Sequence, residues 1–128
     1  MKASLGELNV LTDKIIGAAI EVHRQLGPGL LESTYEKCLI FELQHLGLVV
    51  ESQVSLPVIY KGMNVEAGYK IDLLVEKSVI IELKAVESIL PVHEAQILTY
   101  LKFSGTKLGL LLNFHVKLMK DGIRRFVN

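Results

Sequence analysis

The first 46 residues repeat apolar positions with the period of an α-helix. Apolar side chains recur every three or four positions over residues 8–26. Ser4 and Glu7 have the spacing of a capping box, so this helix should begin just after Ser4. Residues 27–29, with the sequence GPG, should end it. A second apolar stripe predicts another helix over residues 31–46, with core positions Tyr35, Leu39, Leu43 and Leu46.

From residue 49 the pattern changes to that of β-strands. The segment VVESQVSLPVIY predicts an extended strand in which Pro57 should interrupt the hydrogen-bonded ladder. A turn at residues 61–63 should return the chain along a second strand over residues 65–75. Three polar residues then separate this strand from a third, over residues 79–83.

The last third of the chain adds a helix and a buried strand. Pro91 should open a helix that ends near Ser104, before a glycine. The nearly continuous apolar run LGLLLN predicts a strand buried on both faces, parallel to the third strand after a right-handed crossover. The tail should form a short edge strand or hairpin with a turn at residues 121–122. The predicted order is α-α-β-β-β-α-β: an α/β domain over residues 1–128 whose mixed sheet is flanked by helices.

Asp72, Glu82 and Lys84 interrupt two strands that are otherwise apolar. Because side chains alternate along a strand, Glu82 and Lys84 should share a face. If the chain reverses in a three-residue loop centred on Lys77, Asp72 stands opposite Glu82 on that face. Opposed residues lie about 4.5–5.5 Å apart at Cβ, where two like charges are destabilising. We therefore expect a cation between the carboxylates, either a side chain or a metal ion.

These three residues have two interpretations. One is metal-assisted phosphodiester hydrolysis, in which one or two carboxylates hold Mg²⁺ and the ion neutralises charge on a phosphate. Lys84 would then orient the attacking water or stabilise the developing charge. The other is an ion pair of Lys84 with Asp72 or Glu82 on a solvated face. Spacing alone does not distinguish them.

Composition narrows the class of protein. Lys and Arg number 14 and Asp and Glu number 14, so no global field attracts the chain to nucleic acid or to an anionic membrane. The single cysteine, Cys38, excludes an internal disulfide framework and suits a reducing cytosol. The N-terminal residues show no secretory signal, and no apolar run reaches the ~20 residues of a membrane span. We expect a cytoplasmic protein with no membrane contact.

The pattern Asp72 followed by Glu82-Leu83-Lys84 resembles the signature of the PD-(D/E)XK nuclease superfamily, with Ile71 where that signature has proline. Upstream, Gly29, Glu32 and Tyr35 in EVHRQLGPGLLESTYE closely resemble the GxxExxY family, which is classed within the same superfamily. The resemblance covers nearly the whole chain. It implies a restriction-endonuclease-like fold, whose helix, three-stranded meander, helix and strand agree with the order predicted above.

The resemblance also implies site residues. Asp72, Glu82 and the main chain of Leu83 would hold Mg²⁺ or Mn²⁺, with Lys84 as a catalytic residue. Members of the superfamily often add a glutamate from the helix before the sheet. Glu32 and Glu36 are both candidates, four apart on one helical face. Residues 33–36 also read as a capping box, so we favour Glu32 as the catalytic glutamate.

Three further residues are implied as support for the substrate or the site. Tyr35 should border the site through the family motif. Gln96 and Tyr100 form a QxxxY pair similar to one in RecB-like members, and with His93 one turn earlier they could steady the site or contact a phosphate. Without the resemblance, a tyrosine such as Tyr35 is more often a packing residue, and the QxxxY pair is explained equally well by a helix surface with its tyrosine half-buried.

The resemblance implies a metal-dependent nuclease whose partner is nucleic acid, and we expect DNA. A neutral domain of this size has little surface with which to grip a charged duplex alone, so we expect a homodimer or a complex with another protein. The alternative function is an inactive nuclease-fold module that binds nucleic acid or protein. Neutral charge favours the alternative, whereas the complete set of Asp72, Glu82 and Lys84 favours the nuclease.

Overall fold

The structure is a computed structural model that describes residues 3–65 and 68–128. In these residues the α-helices are α1 (Leu5–Leu26), α2 (Glu32–His45) and α3 (Pro91–Ser104). The strands are β1 (Val50–Ser55), β2 (Val58–Tyr60), β3 (Met63–Val65), β4 (Lys70–Val75), β5 (Val79–Lys84), β6 (Leu108–Asn113) and β7 (Ile123–Val127). A short 3-10 helix (Met119–Gly122) precedes β7.

Of the two capping boxes predicted from the sequence, the one at the start of α1 forms and the one at the start of α2 does not. The Ser4 hydroxyl accepts a hydrogen bond from the Glu7 N–H at 3.2 Å, so the predicted capping box of α1 forms. The capping box predicted at residues 33–36 is wrong. The N-cap of α2 is Leu31, which has no side-chain cap, and Ser33 already lies in the first helical turn.

Five strands form one mixed sheet in the order β1-β4-β5-β6-β7. β5 and β6 are parallel and are connected through α3, whereas the other neighbouring pairs are antiparallel. This confirms the predicted parallel strand and the predicted mixed α/β architecture. β6 is buried along its whole length, because a neighbouring strand lies on each side and apolar layers cover both faces.

The structure divides the predicted long hairpin. Pro57 separates β1 from β2, and β2 pairs with β3 in a sheet of two strands. The predicted second strand is divided into β3 and β4, and residues 66 and 67 between them lie outside the described part of the chain. The tail forms the edge strand β7, antiparallel to β6.

Apolar side chains cover both faces of the five-stranded sheet. The α1/α2-side cluster joins α1 and α2 to the sheet, and it includes Ile15, Leu39, Leu73, Ile81, Leu83 and Leu110. The α3-side cluster includes Ile71, Ile80, Ile97, Tyr100, Leu101 and Leu111. The sheet is therefore a central layer that both groups of helices hold in place.

Tyr35 fixes the loop between α1 and α2. Its hydroxyl donates to the Gly27 carbonyl at 2.6 Å and accepts from the Leu30 N–H at 3.1 Å. Its ring is fully buried and stacks on Phe114, just after β6, at a centroid distance of 4.5 Å. Gly29, within the loop, has a φ of 99°, which glycine adopts without strain. Tyr35 thus determines where α2 begins relative to the sheet.

Replacing the Tyr35 hydroxyl tests this role. Tyr35→Phe keeps the ring on Phe114 but leaves a carbonyl and an N–H of the loop without their partner, so the free energy of unfolding should fall by about 1–3 kcal/mol. Urea unfolding measures the change. Tyr60→Phe, at a tyrosine that is 58% exposed, is the control and should have no effect. Equal stability of the two variants would show that the Tyr35 hydroxyl does not hold the loop.

Candidate active site

Asp72 and Glu82 meet where the pairing of β4 with β5 ends. The pairs run from Val75↔Val79 to Leu73↔Ile81, so the reversal is centred on Lys77 as counted from the sequence. Beyond the last pair, the Asp72 N–H donates to Glu82 Oε1 at 3.2 Å, and the Leu83 N–H donates to Asp72 Oδ2 at 2.9 Å. Each carboxylate therefore bonds the main chain of the opposite strand. The two strands remain connected here through the acidic side chains.

β1, which pairs with the other side of β4, is irregular opposite Asp72. The pairs of β1 with β4 pass from Ser52↔Leu73 to Val54↔Ile71 and omit Gln53 and Asp72. Gln53 has a φ of 53°, which is uncommon for a residue other than glycine. Ile71 belongs to the α3-side cluster and Leu73 to the α1/α2-side cluster, although a regular strand would place both on one face. The regular alternation that the sequence prediction assumed is not kept at Asp72.

A small cavity of about 130 Å³ opens from Asp72 toward α2. Its lining residues are Glu32, Ser33, Glu36, Gln53, Asp72 and Leu83. Because one water occupies roughly 30 Å³ in the liquid, the cavity has room for an ion with a few waters. The sequence-predicted residues Glu32, Asp72 and Leu83 are thus brought together.

Gln53 connects α2 to Asp72. Its Nε2 donates to Glu36 Oε1 at 2.9 Å and to Asp72 Oδ1 at 3.4 Å. Glu36 is half-buried, whereas Glu32 is exposed at the first position of α2. The hydrogen-bonded connection therefore runs through Glu36, the candidate that the sequence argument ranked second. Gln53 itself was missed, because its backbone conformation depends on the tertiary structure and has no signal in the sequence.

Burial dominates the electrostatics of this site. Glu82 is 4% exposed, and burial, followed by repulsion from Asp72, raises its pKa to about 8. The hydrogen bond from the Asp72 N–H and the charge of Lys84 act in the opposite direction. Burial, Asp72 and Glu32 raise the pKa of Glu36, against the hydrogen bond from Gln53. Repulsion between facing carboxylates was predicted, but burial is the larger cause at Glu82.

Lys84 does not neutralise the carboxylates by direct pairing. It lies two residues after Glu82 on β5 and is half-buried. In the described parts of the chain Lys84 forms no salt bridge, so neither of the ion pairs that the sequence allowed is present. Its charge still lowers the pKa of Glu82. The cation expected between the two carboxylates is therefore not this side chain.

The QxxxY pair lies on the other side of the site, on α3. Gln96 Nε2 donates to the Tyr100 hydroxyl at 3.0 Å. Burial, and then the charge of Glu82, raises the pKa of Tyr100, so α3 and Glu82 interact electrostatically. His93, one turn earlier, accepts from the Leu90 N–H at 3.0 Å and caps the helix. Gln96 and Tyr100 thus belong to the surroundings of Glu82, and His93 has a structural partner of its own.

The donor set suits a metal that needs few protein ligands. In residues 3–65 and 68–128, no three Asp, Glu, His or Cys side chains are grouped closely enough to hold an ion. Mg²⁺ is usually bound by one or two carboxylates, with waters and substrate phosphate completing the octahedron. Asp72 and Glu82 provide two carboxylates that have no salt-bridge partner among the described residues, and Leu83 adjoins them with its main chain. Glu32 and Glu36 add negative charge near Asp72. A divalent ion fits these residues.

The raised pKa of Glu82 predicts a pH-dependent stability in metal-free buffer. The folded protein keeps Glu82 protonated up to about pH 8, whereas the unfolded chain ionises it near 4.5. The unfolded state therefore loses its proton first, and stability from this group is present below pH 4.5 and is lost as the pH rises to about 8. The Glu82→Gln side chain cannot ionise. The stability of this variant minus that of wild type should therefore be larger above pH 8 than at pH 4.5.

Thermal melting across this range in a chelator measures the effect. Glu87→Gln, at an exposed glutamate without a salt bridge among the described residues, is the matched control and should follow the wild-type pH profile. An unchanged profile for Glu82→Gln would contradict the assignment of a protonated carboxyl to the folded state.

The comparisons with known proteins agree with the fold. Residues 9–126 match the family model described as the PD-(D/E)XK nuclease superfamily. No curated protein and no solved structure matches the chain. The five-stranded mixed sheet flanked by helices is consistent with a restriction-endonuclease-like fold. Within the described residues, none of the helices combines the length and apolar character that a membrane crossing requires. The chain belongs to the PD-(D/E)XK nuclease superfamily.

Proposed function

We propose that this protein is a nuclease that requires a divalent metal and hydrolyses phosphodiester bonds of nucleic acid at Asp72, Glu82 and Lys84. Members of the superfamily are generally nucleases and typically use divalent metals. The observation that carries the proposal is the pair of carboxylates at the end of the β4–β5 ladder. Glu82 is buried there, and no salt bridge to it is found in the part of the chain that the structure describes.

The proposed roles follow from position. Asp72 and Glu82 hold Mg²⁺ or Mn²⁺ together with the main-chain carbonyl of Leu83. When bound there, the ion lowers the pKa of water and neutralises charge on the phosphate. Lys84, half-buried on the same strand and not in a salt bridge among the described residues, orients the attacking water or donates to a phosphate oxygen whose charge increases in the transition state.

We propose Glu36 rather than Glu32 as the helix glutamate that completes the site. The Gln53 amide bonds both Glu36 and Asp72, so a shift of either carboxylate acts on the other through one side chain. Gln53 is a positioning residue in this scheme. Glu32 lines the same cavity from its exposed edge and adds negative charge, which favours a cation.

The GxxExxY pattern supports the finer family proposal. Gly29 supplies a left-handed backbone, Glu32 begins α2, and the buried Tyr35 holds the intervening loop. Because Tyr35 is fully buried, it supports the site by fixing α2 and does not contact a substrate. The residues of the motif therefore position α2 so that its glutamates face the sheet. We propose that the chain is a GxxExxY protein.

The proposed setting is the cytoplasm, with DNA as the substrate. The single cysteine, Cys38, supports a reducing compartment. Because the formal net charge is zero, we propose that a second copy of the chain or another protein contributes to substrate binding. The zero charge also favours the alternative function, a nuclease fold that binds without cutting. The cleavage experiment below separates the nuclease from this alternative.

Lys84→Ala tests the nuclease. Wild type should cleave single-stranded or duplex DNA in Mg²⁺ or Mn²⁺ and lose activity in a chelator. Loss of a group that stabilises developing charge should slow cleavage by about 10²–10³-fold. Gel analysis of labelled DNA and RNA measures the rates. Lys117→Ala, at an exposed lysine, is the matched control and should cleave normally. Cleavage that Lys84→Ala leaves unchanged, or a wild type that cuts no probe, would reject the proposal.

Metal binding itself is tested by thermal melting at neutral pH. Mn²⁺ should stabilise wild type by about 2.7 kcal/mol at a hundred times its dissociation constant. Asp72→Asn and Glu82→Gln should lose this shift, yet without metal they should be no less stable than wild type. Asp72→Asn removes the charge that repels an ionised Glu82, and Glu82→Gln removes a carboxyl that must take up a proton to be buried at this pH. Glu87→Gln should keep the full shift. If wild type shows no shift and both site variants melt well below it, the carboxylates are structural.

A further inference from the structure

A second cavity lies on the α3 face of the sheet, beside the candidate active site. It measures about 270 Å³, close to the lower limit of roughly 300 Å³ for small-molecule sites, so it fits one small ring system. Its lining side chains include Leu56, Val58, Tyr69, Gln96, Tyr100 and Phe103. We call it the α3 pocket. Gln96 and Tyr100 are the residues of the α3 pocket that the proposed nuclease chemistry already involves.

The α3 pocket combines an aromatic surface with apolar walls. Tyr69, just before β4, is 46% exposed and stands edge-on to Tyr100, with ring centroids 6.4 Å apart at 62°. Leu56 is nearly buried behind them, and Phe103 on α3 is partly exposed. An exposed tyrosine ring beside an apolar slot suits a flat ligand that stacks on one face.

One polar group in the α3 pocket is available to a ligand. Gln96 donates from Nε2 to the Tyr100 hydroxyl, and its Oε1 has no hydrogen-bond partner among the described residues. The amide can therefore accept a hydrogen bond from a ligand edge and still offers its second N–H. A ligand with apolar faces and a hydrogen-bonding edge satisfies both the aromatic surface and the amide. A nucleobase has this chemistry.

The position of the α3 pocket relates it to the reacting phosphate. Tyr100 is shared between the pocket and the surroundings of Glu82, whose charge acts on its hydroxyl. A base held in the pocket would thus belong to a nucleotide near the phosphate at Asp72 and Glu82. Stacking on a protein ring requires a base whose face is free, which a paired base inside a duplex does not have.

The charge of the chain favours the same ligand. Duplex binding depends on many Lys and Arg contacts to phosphates, and this protein has zero formal net charge. Stacking of bases on aromatic side chains supplies affinity for single strands without such a surplus. We propose that the α3 pocket binds one unpaired nucleobase of a single-stranded nucleic acid, an inference that rests on the proposed nuclease function and names its substrate class.

Tyr69→Ala tests the pocket by binding. The protein carries Lys84→Ala in Mg²⁺ so that the probe stays intact, and the probe is a fluorescein-labelled oligothymidylate measured by fluorescence anisotropy. Loss of one stacking ring should weaken affinity by between about fivefold and a hundredfold. Tyr69→Phe should keep the affinity. Tyr60→Ala, the same change at an exposed tyrosine outside the α3 pocket, should not alter it.

A second probe makes the result specific to the base. An oligomer of the same length made of abasic residues should bind weakly, and with the same affinity whether or not the protein carries Tyr69→Ala. The same substitution should leave duplex binding unchanged. Oligothymidylate binding that is undetectable or independent of Tyr69, or an equal loss on the abasic or duplex probe, would overturn the inference. If binding depends on Tyr69 but wild type cleaves no probe, the nuclease proposal would be rejected and the proposal of a base-binding pocket would be retained.

Discussion

Two carboxylates held between two interior strands, at the end of the β4–β5 ladder, are the constraint around which this structure is arranged. Removing an acidic group from water is costly unless it is hydrogen-bonded or paired. Asp72 and Glu82 each accept a main-chain N–H from the opposite strand, which offsets part of that cost. The rest is seen in the pKa of Glu82, raised to about 8. Ionising Glu82 in this buried position is therefore energetically unfavourable.

The remainder of the fold stabilises this unfavourable element. Apolar clusters cover both faces of the sheet, and β5 and β6, at its centre, are buried almost throughout. The backbone departs from regular geometry beside the site, where Gln53 takes a positive φ and the β1–β4 pairs omit Asp72. Unusual backbone conformations concentrate at functional sites because the surrounding structure holds them there. Here Gln53 uses its conformation to join Asp72 with Glu36.

The two helical layers contribute to the site in different ways. α2 presents Glu32 and Glu36, and its position depends on Tyr35, which bonds the preceding loop and stacks on Phe114. α3 presents Tyr100, which lies within the influence of Glu82 and also borders an apolar cavity. Acidic groups thus lie on one side of the ladder and an aromatic surface lies on the other. In the function proposed above, the first side would hold a cation and a phosphate, and the second would hold a base.

The sequence by itself determined the architecture, because hydrophobic periodicity and turn residues act locally. The apolar run of β6 required burial on both faces, and the length of the connection through α3 required a parallel strand. The sequence also predicted the register that brings Asp72 near Glu82, on the condition that the chain reverses at Lys77, and the ladder keeps that register up to its last pair, Leu73↔Ile81. Only the tertiary structure decided that Glu36 is bonded to Asp72 through Gln53, that Lys84 makes no salt bridge among the described residues, and that Tyr69 meets Tyr100 at a cavity. These features join residues far apart in the chain, and their geometry depends on how whole elements pack, which no local pattern records.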